Sequence, residues 1–134
     1  MPAKKTTILV VDGDVLHRES MRQALRASGY RVLEAADFRG AINAHQQHPG
    51  QVDMLITALA LPGGNGYELA KTILAAEPNM KVLFVSGEAG AKISEFYSEP
   101  TVEGCTLRRP FERSKLLKRI RDLLQVQRSS TAQV

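Results

Sequence analysis

Three short, almost uninterrupted apolar runs most constrain how this chain can fold. They occupy residues 8–11, 52–57 and 82–85. Runs of this length, rich in Val, Ile and Leu, are typical of strands buried on both faces of a parallel sheet. Segments with apolar residues at helical spacing follow each run. The sequence therefore predicts alternating strands and helices, which is the pattern of a doubly wound α/β fold.

Two more polar segments, residues 31–35 and 104–107, complete a five-stranded pattern. Polar strands suit the edges of a sheet, which gives the strand order 2-1-3-4-5 of a flavodoxin-like (βα)5 fold. Helices are predicted after Asp14 and Asp37, near residues 67–74 and 91–97, and after Phe111, while Gly29 is placed to end the first helix. Sites in such sheets lie at the carboxyl ends of the strands.

Size and composition favour one globular domain. The chain has 134 residues, of which 43% are hydrophobic and 24% charged. Cys105 is the single cysteine, which excludes an intrachain disulfide and fits a reducing compartment. The first apolar run ends at Asp12 and is too short for a signal core or a membrane span. We expect a cytoplasmic protein with a domain over residues 1–126 and a polar, disordered tail over residues 127–134.

Basic residues crowd the C-terminal quarter of a chain whose formal net charge is +4. They are Arg108, Arg109, Arg113, Lys115, Lys118, Arg119, Arg121 and Arg128. A basic stripe attracts nucleic acid, anionic lipid or an acidic partner, although such runs are more often solvated helix faces. The sequence leaves these alternatives open.

Four motifs lie in order along the chain, each beside the end of a predicted strand. They are Asp12-Gly13-Asp14 after the first strand, Leu61-Pro62 and Gly66 after Ala58, Ser86 after the fourth strand, and Arg109-Pro110-Phe111. Over roughly residues 6–125, this pattern resembles the receiver domain of bacterial response regulators in two-component signalling.

The resemblance implies a pocket that has lost most of its acids. In that family, two neighbouring acids and a phosphoacceptor aspartate hold Mg²⁺, and here they align with Asp12, Gly13 and Ala58. Magnesium requires a near-octahedral set of oxygen ligands. Each carboxylate contributes about 4 kcal/mol at about 4 Å with an effective dielectric constant near 20. We therefore expect no bound cofactor, with Asp12 and Asp14 as remnants of the magnesium site.

Other pocket residues have open roles in the sequence. Asp14 either caps the following helix or substitutes as a metal ligand. Arg109 stands where the family has lysine, and it either pairs with Asp12 or Asp14 or points to solvent. The two switch positions of the family align with Ser86 and Thr106, and threonine lacks the aromatic ring that moves in the family.

Histidines and glycines provide weaker candidates. His45 and His48 are spaced i, i+3, as in some metal pairs, but no acid or cysteine lies nearby in the sequence, so a surface helix is expected. His17 is isolated. The segment 63–66 lacks the Lys-Ser/Thr of a nucleotide-binding loop and is predicted to be a flexible loop over the pocket.

The sequence thus predicts a degenerate receiver, or pseudo-receiver, that is a signalling module rather than an enzyme and works by phosphorylation-independent protein–protein interaction. The resemblance implies a histidine kinase, a phosphotransfer protein, another receiver or an output protein as partner. The resemblance implies that the partner binds a face formed by the fourth predicted helix, the fifth strand and the fifth helix. A homodimer would use the same face. Residues expected on that face are Phe96, Tyr97, Arg108, Arg113, Lys115, Lys118 and Arg119.

Three alternatives stay open. The first is a receiver switched by an anion or another ligand in the altered pocket. The second is a basic nucleic-acid-binding module. The third, a doubly wound enzyme, has the least support because no catalytic pair is recognised in the pocket.

Overall fold

A parallel sheet with helices on its two faces organises the chain. The computed structural model describes residues 5–86 and 106–133, with side chains described through residue 125. The strands are β1 (Thr7–Val11), β2 (Arg31–Ala35), β3 (Met54–Ala58), β4 (Ala60–Leu61), β5 (Gly64–Asn65), β6 (Lys81–Ser86) and β7 (Thr106–Arg108). The helices are α1 (Val15–Ala27), α2 (Phe38–Gln47), α3 (Gly66–Ala76) and α4 (Arg113–Gln133).

The order of the main sheet confirms the predicted topology. Five strands pair in parallel in the order β2-β1-β3-β6-β7, in which β6 and β7 are the fourth and fifth strands predicted from the sequence. The two more polar strands lie at the edges, as expected. The predicted helix near residues 91–97, with Phe96 and Tyr97, lies outside the described residues.

Alternate side chains of the central strands enter two separate cores, because neighbouring residues of a strand point to opposite faces. Leu9, Val11 and Leu55 pack with residues of α2 and α3. Ile8, Val10 and Ile56 pack with residues of α1 and α4. Strands β1 and β3 are buried along their whole length, which explains their continuous apolar sequence.

Side-chain caps fix where the first two helices begin. Asp14 accepts hydrogen bonds from the backbone N–H groups of Leu16 and His17, and Asp37 accepts one from Gly40. The sequence predicts both of these caps. At the other end of α1, Gly29 has a φ of 91° and donates to Arg26, while Tyr30 donates to Leu25. This is a Schellman ending, which favours glycine at the left-handed position.

The glycine-rich segment after β3 is more ordered than predicted. Residues 60–65 form a small antiparallel hairpin, β4–β5, rather than a flexible loop. Pro62 and Gly63 occupy its turn, and Gly63 has a φ of 80°. Proline followed by glycine with positive φ suits a type II turn, so the turn residues themselves account for the hairpin.

The last helix is the longest of the described elements. The backbone of α4 is helical from Arg113 through Gln133. No glycine or proline occurs after Pro110, so nothing in the sequence stops the helical hydrogen-bond ladder. Within the described residues, no helix is both long and apolar enough to cross a membrane.

Candidate functional site

The carboxyl ends of four strands place the predicted pocket residues together. Asp12 follows β1, Ala58 ends β3, Ser86 ends β6, and Arg109 follows β7. The backbone N–H of Arg109 donates to the Ser86 carbonyl oxygen at 2.9 Å, which fixes the end of β7 beside β6. Asp12 and Arg109 then meet directly through their side chains.

Three oxygen atoms of Asp12 accept hydrogen bonds from neighbouring groups of the chain. Its side chain is buried, with Oδ1 accepting the backbone N–H of Asp14 at 2.9 Å and Oδ2 accepting Nη2 of Arg109. Its carbonyl oxygen accepts Nη1 of Arg18 at 2.7 Å. A buried carboxylate needs such partners, because an uncompensated charge is costly to remove from water.

Arg109 supplies the positive charge that balances Asp12. The sequence had left two options for Arg109, namely pairing with an acid or pointing to solvent. The structure confirms the pairing and selects Asp12 rather than Asp14 as the acid. The Arg109 side chain is 17% exposed and that of Asp12 is 5% exposed, so water screens the pair only partly. Arginine suits this position because its guanidinium stays charged and its N–H groups match a carboxylate.

Asp14 acts as a helix cap and not as a substitute pocket acid. Its Oδ1 accepts the N–H groups of Leu16 at 2.8 Å and His17 at 3.2 Å. These bonds, first that from His17, hold the pKa of Asp14 below its ordinary value of 3.8, and the charges of His17 and Arg109 act in the same direction. The Asp14 side chain is about half exposed, in contrast to the buried Asp12 carboxylate.

Gly13 leaves space that the hairpin occupies. A Cβ atom on Gly13 would lie 3.0 Å from Cδ of Pro62, tighter than ordinary carbon–carbon contact. The carbonyl oxygen of Pro62 accepts the N–H of Phe38 at 3.3 Å, and Phe38 packs against Gly64. Any side chain at position 13 therefore requires Pro62 to move by a few tenths of an ångström.

Ala58 is buried at the centre of the pocket floor, and its backbone is closely covered. The Thr57 hydroxyl donates to the Ala58 carbonyl oxygen at 2.9 Å. A Cβ atom on Gly66 would lie only 2.2 Å from that same oxygen. Glycine at position 66 is thus required by the close approach of two backbone segments, while the side chain of residue 58 offers only a methyl group.

The switch positions lie at the edge of the pocket. Ser86 and Thr106 are both buried, and Thr106 pairs with Phe84 of β6 in the sheet register. Nη1 of Arg119 donates to the Thr106 carbonyl oxygen at 3.3 Å. Arg119 is therefore partly committed to the domain itself, although the sequence placed it on the partner surface.

The other basic residues of the predicted partner surface divide by exposure and pairing. Lys118 pairs with Asp122 at 3.0 Å across one helical turn. Arg108, Arg113 and Lys115 are exposed, and no ion pair forms at them within the described part of the chain. Among the described members of the predicted surface, these three cations combine exposure with the absence of an ion pair to another described residue.

Sequence reasoning missed an ion-pair network beside the pocket. Arg18 pairs with Glu34 at 3.3 Å, Arg22 pairs with Glu34 at 3.1 Å, and Arg22 also lies 3.4 Å from Glu19. The sequence did contain a signal for this network. Arg18 and Arg22 are four residues apart on one helix face, and Glu34 is an acid within the edge strand β2. Arg18 links this network to the Asp12 carbonyl oxygen.

The donor set does not fit a magnesium ion. Both carboxylate oxygens of Asp12 are already bonded, Asp14 caps α1, and residues 13 and 58 offer no oxygen side chain. Across residues 5–86 and 106–125, no three His, Cys, Asp or Glu side chains are grouped so as to hold a metal ion. Magnesium needs several oxygen ligands in near-octahedral positions, and these residues do not supply them.

Fold and site together define a doubly wound domain with a pocket at the carboxyl ends of its parallel strands. The family model of the response regulator receiver domain matches residues 8–121. The chain belongs to this family.

Named relatives and solved structures agree with this assignment. The chain is 29% identical over 122 residues to the sensor kinase CckA of Brucella abortus, covering 91% of this chain and 13% of the relative. It is 26% identical to the response regulator receiver protein CpdR of the same species, covering 87% of this chain and 95% of CpdR. A CheY-like receiver structure from Methanospirillum hungatei is 25% identical, with a TM-score of 0.80 and coverage of 95% of this chain and 99% of the other.

Several relatives are much longer than the match. The chain spans 13%, 50% and 14% of the length of CckA, of the Bacillus subtilis regulatory protein YbdJ and of the Arabidopsis thaliana regulator ARR21. The match therefore covers only one part of each of these proteins.

Replacing Arg109 by alanine should destabilise the domain. Arg109→Ala leaves Asp12 buried without its cation, and we expect the free energy of unfolding to fall by about 3 kcal/mol, as when one partner of a buried pair is removed. Urea unfolding measures this. Arg108→Ala, the exposed neighbour, is the control and should change stability by less than about 0.5 kcal/mol. Equal losses in the two variants would contradict the role of the ion pair.

The N-cap of α1 should weaken in acid. The pKa of Asp14 is lowered in the folded state, so the stabilisation it gives is present above its ordinary value of 3.8 and is lost as the pH falls through the folded pKa. Amide NMR shifts of Leu16 and His17 should follow that titration. Asp14→Asn, which caps without titrating, should show no such acid transition at these two amides. An identical transition in the variant would assign it to another group.

Proposed function

We propose that this receiver domain is a pseudo-receiver, a signalling module of two-component systems that works without aspartyl phosphorylation. The observation that carries the proposal is the buried Asp12–Arg109 ion pair, formed where Ala58 offers a methyl group. The pocket is neutralised by its own residues and needs neither a metal nor a phosphoryl group for charge balance.

Physical chemistry of phosphoryl transfer supports this proposal. Transfer requires a nucleophilic oxygen and positive charge placed around the phosphoryl group. The methyl group of Ala58 cannot act as the nucleophile, and the cation at position 109 already has a carboxylate partner. Thr57 is committed through its hydroxyl to the Ala58 carbonyl oxygen, so it is a poor substitute acceptor. On this basis, we propose no enzymatic activity. We also propose a cytoplasmic location, which fits the single cysteine of the chain.

Without phosphoryl transfer, we propose that the domain passes a signal by binding another protein. We propose a histidine kinase, a phosphotransfer protein, another receiver or an output protein as the partner, with an acidic contact surface. Support comes from Arg108, Arg113 and Lys115, which are exposed and form no ion pair within the described residues. A ligand-switched receiver has less support, because an anion would have to compete with Asp12 for Arg109.

The first experiment is an amide NMR titration with Mg²⁺ followed by beryllofluoride, a mimic of an aspartyl phosphate. In the natural chain, we expect no saturable shifts at Asp12, Ala58 or Ser86. The triple variant Gly13→Asp/Ala58→Asp/Arg109→Lys, which supplies the missing oxygens and removes the arginine, should show them. Ala58→Asp alone should not bind Mg²⁺, since Asp12 stays bonded to Arg109 and residue 13 still offers no oxygen side chain. Saturable shifts in the natural chain would refute the proposal.

Charge reversal tests the partner surface. A fluorescently labelled poly-glutamate peptide should bind the natural chain at low salt, and Arg113→Glu/Lys115→Glu should weaken that binding at least fivefold, by roughly 1 kcal/mol. Arg26→Glu/Arg39→Glu is the matched control, because it changes the net charge by the same amount at exposed positions on α1 and α2. A random-sequence DNA duplex is the competing probe. Tighter binding to DNA, with a steep loss of affinity in salt, would favour the nucleic-acid alternative.

A further inference from the structure

His45 is a buried histidine that the pocket does not use. It lies in the last turn of α2 and is only 9% exposed, whereas the sequence predicted a surface position. Its Nε2 is the single buried side-chain nitrogen or oxygen without a hydrogen-bond partner among the described residues. Buried polar groups are rarely left unsatisfied, so this atom needs an explanation.

Glu77 is the acid beside this histidine. Nε2 of His45 lies 3.5 Å from Oε1 of Glu77, just beyond the range of a good hydrogen bond. The same Oε1 accepts the backbone N–H of Gly50 at 3.1 Å. Glu77 caps the C-terminus of α3, and Gly50 lies in the turn after α2. One carboxylate oxygen thus touches the last turn of α2, the turn that follows it, and the end of α3.

Electrostatics at this point favours a positive charge. The C-terminus of a helix carries a partial negative charge, and α2 and α3 both end here. The Glu77 carboxylate adds a full negative charge next to the end of its own helix. A protonated imidazole at position 45 would offset all three, and it would also give Nε2 a hydrogen to donate.

The other charged groups on the surrounding elements either contact other residues or are exposed away from His45. On α2, His48 contacts the Ala44 carbonyl oxygen through Nδ1 at 2.9 Å, and on α3, Lys71 lies over the Tyr67 ring. Strand β1 has no charged residue. On β2, Glu34 pairs with arginines of α1, while Arg31 is exposed at the start of the strand. Arg39 and Glu68 are exposed near the opposite ends of α2 and α3.

We propose that His45 and Glu77 form a proton-operated clamp, in which a proton on His45 ties the C-terminal ends of α2 and α3 and the Gly50 turn together. Protonated His45 donates Nε2–H to Glu77 Oε1 in a charge-assisted hydrogen bond. The clamp contributes stability only while His45 carries the proton and Glu77 is ionised, because the charge-assisted bond needs both charges. The device is independent of the pocket and of the function proposed above.

A double-mutant cycle on the full chain tests the clamp. The variants are His45→Gln, Glu77→Gln and the double variant, with unfolding in urea followed at pH 5.5 and at pH 8.0. Glu77→Gln keeps an oxygen for the Gly50 N–H, so it removes the charge but not that bond. We expect a His45–Glu77 coupling of about tenfold in the unfolding equilibrium constant at pH 5.5 and less than about twofold at pH 8.0.

Two further measurements make the result decisive. His48→Gln is the matched control, because it removes a titrating imidazole one turn away and should leave the pH dependence unchanged. If His45→Gln does not fold, Glu77→Gln alone should lose most of the extra stability that the natural chain shows at pH 5.5 over pH 8.0. Coupling of the same size at both pH values would mean a neutral hydrogen bond from Nε2 and would overturn the proposal, as would no coupling at either pH.

Discussion

Asp12 is buried at the end of β1, and a carboxylate in that position must be compensated. Parallel strands bring their carboxyl ends to one edge of the sheet, so the chain segment after β7 can reach across to β1. Arg109 does so, while the start of α1 contributes the Asp14 N–H and the Arg18 guanidinium. The interaction therefore joins the first strand, the first helix and the last strand of the sheet. Its cost of desolvation is offset because every acceptor of Asp12 has a donor.

A second layer of contacts holds this arrangement in place. Arg18 connects the Asp12 backbone to Glu34 on the edge strand β2, and Arg22 extends the connection along α1. On the other side, the β4–β5 hairpin rests on Gly13 and Phe38. Packing and ion pairs thus join the described residues at the carboxyl end of the sheet. These internal contacts tie β1, β2, α1 and the hairpin to one another.

The sequence predicted the strand order, the two aspartate caps and the Arg109–Asp12 pairing as one of two options. These features depend on strong local signals, namely apolar runs, cap residues and unbalanced charges that a known topology brings together. It failed where distant packing decides the outcome. His45 is buried by α3 and Glu77, which are far from it in the sequence. The β4–β5 hairpin packs against Gly13 and Phe38, which are distant in the sequence, although its Pro62-Gly63 turn is itself a local signal.

The ion pair also limits how the chemistry of the pocket can change over evolution. An aspartate introduced at position 58 would meet an arginine already bonded to Asp12, and a side chain at position 13 would press on Pro62. Lysine at position 109 would be shorter and would leave Asp12 less well matched. Each of these single changes is therefore unfavourable until the others are present. Such a pocket behaves as a local optimum in sequence space, which a lineage enters by small steps and leaves only by several coordinated changes.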